Sequence, residues 1–100
     1  MPLFAFEGRE PAISPAAWIA STATLVGDVH VEAEASVWYG AVLRADFGTI
    51  VVRRGANVQD GTVLHGGADP VTEVGEGATA QSPVPGRRRS HQADQITRHG

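Results

Sequence analysis

The sequence predicts an all-β solenoid of about three to four stacked, three-sided coils, followed by a tail that does not share the pattern. Three observations carry this. Reading every sixth residue from Ile13 gives Ile13, Ile19, Leu25, Val31, Val37 and Leu43, all branched aliphatics. Four residues after each stand Ala17, Ala23, Val29, Ala35, Ala41 and Phe47, of which all but the last are small or β-branched. A period of six is neither the 3.6 of a helix nor the 2 of a plain strand. It is the period of a solenoid in which each hexapeptide makes one flat wall and three walls close one coil. Finally, the spacers Ser14, Ser21, Thr22, Gly27, Asp28 and Gly40 are turn formers suited to sharp corners.

At the amino end, Leu3, Phe4 and Phe6 precede a polar run ending at Pro11. A short strand over Leu3–Phe6, covering the open end of the first coil, accounts for three large apolar residues there. Residues 13–45 then form two regular coils. A helix is excluded by Pro11, Pro15, glycine and the β-branched residues between them. After Leu43 the phase slips by three residues at Asp46-Phe47-Gly48-Thr49 and resumes at Val52, Val58 and Leu64, with Ala56 and Thr62 at the small positions. Such an insertion becomes a loop on one face, often the functional one. A second loop is expected over Gly66–Glu73, which contains Gly66-Gly67, Asp69 and Pro70. One more hexapeptide fits, Val74–Thr79. The next key positions fall on Ala80, Gly86 and Gln92, which do not read as core. The sequence thus divides into a repeat domain, residues 1–79, and a disordered tail, residues 80–100.

One hundred residues with 42% hydrophobic content and six aromatics suit one small domain with an aliphatic core. A solenoid this short buries little surface alone, so self-association is expected on energetic grounds. There is no cysteine, which excludes disulfide and thiolate chemistry and fits a reducing, cytoplasmic setting. No signal-peptide pattern and no membrane-length apolar run is read. Residues 1–76 carry four arginines against ten acids, net −6, whereas residues 77–100 carry four arginines and one acid, net +3. The triplet Arg87-Arg88-Arg89 has no interleaved aromatics, so it reads as a solvated tail and not as a nucleic-acid patch.

Chemistry concentrates in Val42-Leu43-Arg44-Ala45-Asp46 and in the run from Ala56 to His65. Arg44, Gln59 and His65 each directly follow an aliphatic key position, which places them at equivalent outward or corner positions of successive walls. A single such residue is ordinary surface. Asn57 and Asp60 are equally well read as corner-turn residues.

These stretches, together with Ile19-Ala20, Gly27-Asp28-Val29, Ser36-Val37-Trp38-Tyr39, Asn57-Val58-Gln59-Asp60-Gly61 and Val63-Leu64-His65, make residues 10–79 resemble the γ-class carbonic anhydrase-like proteins of the hexapeptide-repeat group. The resemblance implies a left-handed parallel β-helix, a hand that periodicity does not give and that departs from the general right-handed crossover rule. It implies a homotrimer with sites between subunits, and CO2 or bicarbonate as substrate. Within that picture Arg44 and Asp46 form an intersubunit ion pair. Gln59 orients a metal-bound water or bicarbonate, Asp60 holds neighbouring polar groups, and His65 is one of three histidine ligands to Zn2+ or another divalent metal. A catalytic zinc needs three protein ligands and an open position.

The family's other two histidines come from the next coil, five residues apart. Here that coil gives Ala80-Gln81-Ser82, and the later histidines, His91 and His99, are eight apart. His30 stands in phase with nothing else. The expectation is therefore a chain that binds no zinc and lacks the activity, with residues 80–100 foreign to the family, as in a truncated or frame-shifted product. Two other functions share the repeat: acyl transfer and ferripyochelin-type siderophore binding. A non-catalytic trimeric scaffold is the remaining alternative.

Overall fold

In a computed structural model, residues 3–66, 71–81 and the backbone of 96–99 are described. The described residues form β strands joined by corners, and no helix among them is long and apolar enough to cross a membrane. The strands are β1 (Leu3–Phe4), β2 (Ala12–Ile13), β3 (Trp18–Ile19), β4 (Thr24–Val31), β5 (Ser36–Val37), β6 (Val42–Val52), β7 (Asn57–Val58), β8 (Val63–His65), β9 (Val71–Val74), β10 (Thr79–Ala80) and β11 (Ile96–His99).

The pairing is parallel from β1 to β10 and always joins one coil to the next. β4 and β6 are long because each turns a corner. Their first halves pair with β1 and β8, and their second halves with β2 and β9. Three walls result. Wall one stacks β2, β4, β6 and β9, wall two stacks β3, β5, β7 and β10, and wall three stacks β1, β4, β6 and β8.

The hexapeptide period is the cross-section of this prism. The key aliphatics align in three columns: Ile13–Val31–Val52–Val74, Ile19–Val37–Val58–Ala80, and Leu3–Leu25–Leu43–Leu64. Leu25, Val37, Leu43, Val52, Val58 and Val74 are fully buried. The expected amino-terminal strand is present as β1, in register with Leu25 and Val26. After it, Phe6 and Arg9 close a tight turn through Glu7 and Gly8, both at positive φ.

The expected insertion is present: Phe47 is 64% exposed, and Ile50 takes the small position, paired with Val29 and fully buried. The structure corrects the sequence reading at three places. Ala80 belongs to the solenoid and not to the tail. It is fully buried, pairs with Val58 and tops the second column among the described residues. The second loop is shorter than expected, since Val71–Val74 already lies in the ladder of β6. Finally, Ile96–His99 form a strand, β11, paired antiparallel with β9 on top of wall one. The rest of the segment read as a disordered tail, residues 82–95 and 100, lies outside the described residues.

Candidate functional site

Parallel register does the first part of the assembly. Arg44 on β6 stands directly opposite His65 on β8, and both point outward, as residues following a buried leucine must. Asp46 comes two residues after Arg44, on the same side of the strand, at the mouth of the insertion. Its carboxylate collects both neighbours. The His65 Nε2 lies 3.0 Å from Asp46 Oδ1, and the Arg44 Nε lies 3.6 Å from Oδ2. The guanidinium Nη2 of Arg44 lies almost equidistant from the two His65 ring nitrogens, 3.4 Å from Nδ1 and 3.5 Å from Nε2.

The proton positions follow. An ionised carboxylate only accepts, so the His65 Nε2 carries the hydrogen it donates to Asp46. In that tautomer the lone pair is on Nδ1, which the Arg44 Nη2 approaches hardly more closely than it does Nε2. Partial burial works against the charge on Asp46. Hydrogen bonds from His65 and the backbone and the nearby Arg44 charge outweigh it, holding the carboxyl below its ordinary 3.8.

The other expected site residues do not join this cluster by any hydrogen bond. The Gln59 side-chain amide donates to Asn57 Oδ1 one wall away, and its backbone amide donates to the Ala80 carbonyl. Asp60 is exposed at the corner before Gly61, whose φ of 69° makes the turn. Arg44 and Asp46, expected to pair between subunits, already lie within ion-pair reach of each other in one chain.

A second polar group escaped the sequence reading. His30 Nε2 lies 2.7 Å from Asp28 Oδ1, and the Thr49 hydroxyl donates to Asp28 Oδ2 at 2.6 Å. The Thr49 hydrogen bond is the largest reason the Asp28 carboxyl is held below 3.8, with His30 and Arg9 adding to it against the effect of burial. The spacing Asp28-x-His30 on one strand was the available signal, since alternate residues share a face. Thr49 could not be found that way, because only the insertion brings it there.

Does this chain present a metal site? Among the described residues, no three His, Cys, Asp or Glu side chains gather closely enough to hold an ion. In that tautomer His65 keeps one lone pair, on Nδ1, and the Arg44 guanidinium 3.4 Å away opposes a metal ion there. The residues present do not by themselves fit a bound zinc ion.

No family model matches the sequence. The chain is 45% identical over 76 residues to the carnitine operon protein CaiE of Escherichia coli O1:K1, and equally so to CaiE of Escherichia coli K12. The match covers 76% of this chain and 39% of that protein. Over these repeats the chain is a homologue of CaiE, a hexapeptide-repeat protein of γ-carbonic anhydrase-like kind. It spans about two fifths of the length of these curated CaiE relatives. Among solved structures, a hexapeptide transferase family protein from Anaplasma phagocytophilum superposes with a TM-score of 0.60 at 31% identity. That superposition covers 80% of this chain and 50% of the other. The family's fold is the left-handed parallel β-helix, and the three-walled prism described above is four coils of it.

Proposed function

We propose that this γ-carbonic anhydrase-like chain is a scaffold protein that assembles as a homotrimer and, by itself, neither holds zinc nor hydrates CO2. The observation that supports the second part is the setting of His65, whose Nε2 faces Asp46 and whose ring has the Arg44 guanidinium beside it. A metal at the remaining ring nitrogen has to work against that cation. The sequence after Thr79 offers no pair of histidines five residues apart to supply the remaining ligands.

Support for assembly comes from wall three. Its outward rows are Phe4–Val26–Arg44–His65 and Thr24–Val42–Val63, and Phe4 is 52% and Val63 64% exposed. Exposed apolar side chains beside charged ones on a sheet face suit an interface between subunits. Arg44 and Asp46 lie on the same wall and are placed to re-pair across it. A cytoplasmic location completes the reading and rests on the cysteine-free composition alone.

The test is direct. Purified protein is sized by light scattering, its zinc is measured by elemental analysis, and CO2 hydration is followed with a pH indicator in stopped flow. A trimer without zinc and without hydration is expected. A stoichiometric zinc with hydration that chelators abolish sinks the reading.

A second reading is kept because the solved relative from Anaplasma phagocytophilum is a hexapeptide transferase family protein. In it the scaffold binds an acyl donor. Titration with acetyl-CoA, followed by calorimetry, separates the two.

A further inference from the structure

The insertion in β6 has an anchor at each end. β4 passes from Gly27 to Val29 through a single residue, Asp28. β6 covers the same interval, from Ala45 to Ile50, with the four residues 46–49. Three surplus residues must therefore leave the wall at this corner, without a ladder of their own. At the near end, Asp46 receives His65 and Arg44. At the far end, the Thr49 hydroxyl donates to Asp28 Oδ2 at 2.6 Å, and Asp28 is itself fixed through Oδ1 by His30 at 2.7 Å. Between the ends, the Phe47 ring stands edge-on to Phe6 of the amino-terminal turn, with centroids 5.9 Å apart.

We propose that Asp28 and Thr49 are positioning residues, a clasp that fixes the insertion so that Asp46 meets the Nε2 of His65 and thereby sets which ring nitrogen carries the proton. The argument is one of length. Asp46 and Thr49 are three residues apart, so the loop has almost no slack. The ladder holds Ala45 and Ile50 on either side, so with Thr49 also held the intervening peptide has little freedom and Asp46 stays over β8. When Thr49 is released, residues 46–49 are tied only at those two ends, and the carboxylate can shift between them. Asp28 suits the task because its charge-assisted hydrogen bond is short and stronger than a neutral one, and because His30 keeps the carboxylate from rotating away. The proposal rests on reading Arg44, Asp46 and His65 as the site.

The experiment is long-range proton–nitrogen NMR of the histidine rings in metal-free protein without substrate. The pH is raised until the ring nitrogen shifts stop changing, so that tautomers and not protonation are compared. The native chain and Thr49→Ser are expected to show His65 as the Nε2–H tautomer. Thr49→Val, which keeps the shape and removes the hydroxyl, is expected to shift His65 to a mixture of tautomers at an unchanged far-ultraviolet spectrum. Phe6→Ala loosens the crest of the loop without touching the clasp and is expected to leave His65 as in the native chain. An unmoved His65 in folded Thr49→Val overturns the proposal, and so does a Phe6→Ala effect as large as that of Thr49→Val. If Thr49→Val does not fold, Asp28→Asn is measured instead. It weakens the same bond without removing the acceptor, so a partial shift is expected and none overturns the clasp. Because no metal or CO2 is involved, zinc-dependent hydration defeats the functional reading without touching this result, and an immobile His65 does the reverse.

Discussion

The carbonyl oxygen of Ala45 occupies the place where a side chain on Gly27 would have to stand. The two residues face each other across β4 and β6, just before the insertion departs. Gly27 also has φ of +79°, a region that L side chains avoid. Steric contact here is with backbone, which cannot rotate aside. Gly27→Ala is therefore expected to destabilise the chain by about 2–4 kcal/mol, read as a lower midpoint in urea.

Glu34 is the converse case. It has φ of 62° at a corner where the next two coils place Gly55 and Gly77, each at 70°. The stacking is shown by the amide of Gly55 bonding to the Ala33 carbonyl and that of Gly77 to Arg54. The ion pair from Arg54 to Glu34 is well exposed on both sides and contributes little. Glu34→Gly is expected to raise stability by about 0.5–1 kcal/mol, measured by the same titration.

Thr72 continues the column Val29–Ile50 but brings a hydroxyl into it. Its Oγ1 is buried and, among the described residues, has no hydrogen-bond partner. Replacement by an isosteric methyl removes that penalty. Thr72→Val should gain about 1 kcal/mol, visible as a thermal midpoint several degrees higher.

Ala80 tests where the solenoid stops. If it fills the second column, Ala80→Asp buries an unpaired carboxylate above Val58 and costs about 3 kcal/mol or more. Gln81→Asp, one position on and only partly buried, costs much less. Equal, small effects of the two substitutions in urea would mean that the column ends at Val58.

The acid limb of stability follows from Asp28 and Asp46. Both carboxyls are depressed below 3.8 in the folded chain, so the unfolded chain binds protons first as pH falls. Their contribution is complete above the unfolded value and is lost as pH drops through the folded ones. The urea midpoint should thus be level near neutrality and fall below about pH 4. Thr49→Val, which removes the largest cause of the Asp28 shift, should fall less steeply. An identical slope in both proteins counts against the Thr49–Asp28 bond.

Most of the prism was legible because its core is one aliphatic per wall, and a strict period survives any choice of corner. Leu25, Leu43 and Leu64 could be aligned from sequence alone. The errors lie where the period is broken or muted. The insertion at residues 46–49 was legible as a slip in phase, but not that Ile50 takes the place beside Val29. Ala80 looked too small for a core, yet its methyl is fully buried beside Val58. β11 was invisible because an antiparallel strand makes no six-residue pattern. Of the site, Arg44 and His65 were legible through equal phase. The Asp28–Thr49 bond was not, since it joins residues of adjacent coils through an insertion whose path no periodicity gives.

A parallel solenoid offers at each end the same donor and acceptor pattern that joins its own coils, so any copy, in principle, is a template for the next. On top of wall one that invitation is withdrawn. Ile96–His99 run against the grain of Val71–Val74, and a newcomer at this wall meets a reversed strand in place of a matching one. Growth into an end-to-end fibre is thereby obstructed by direction alone, with no charge or proline needed to guard the rim.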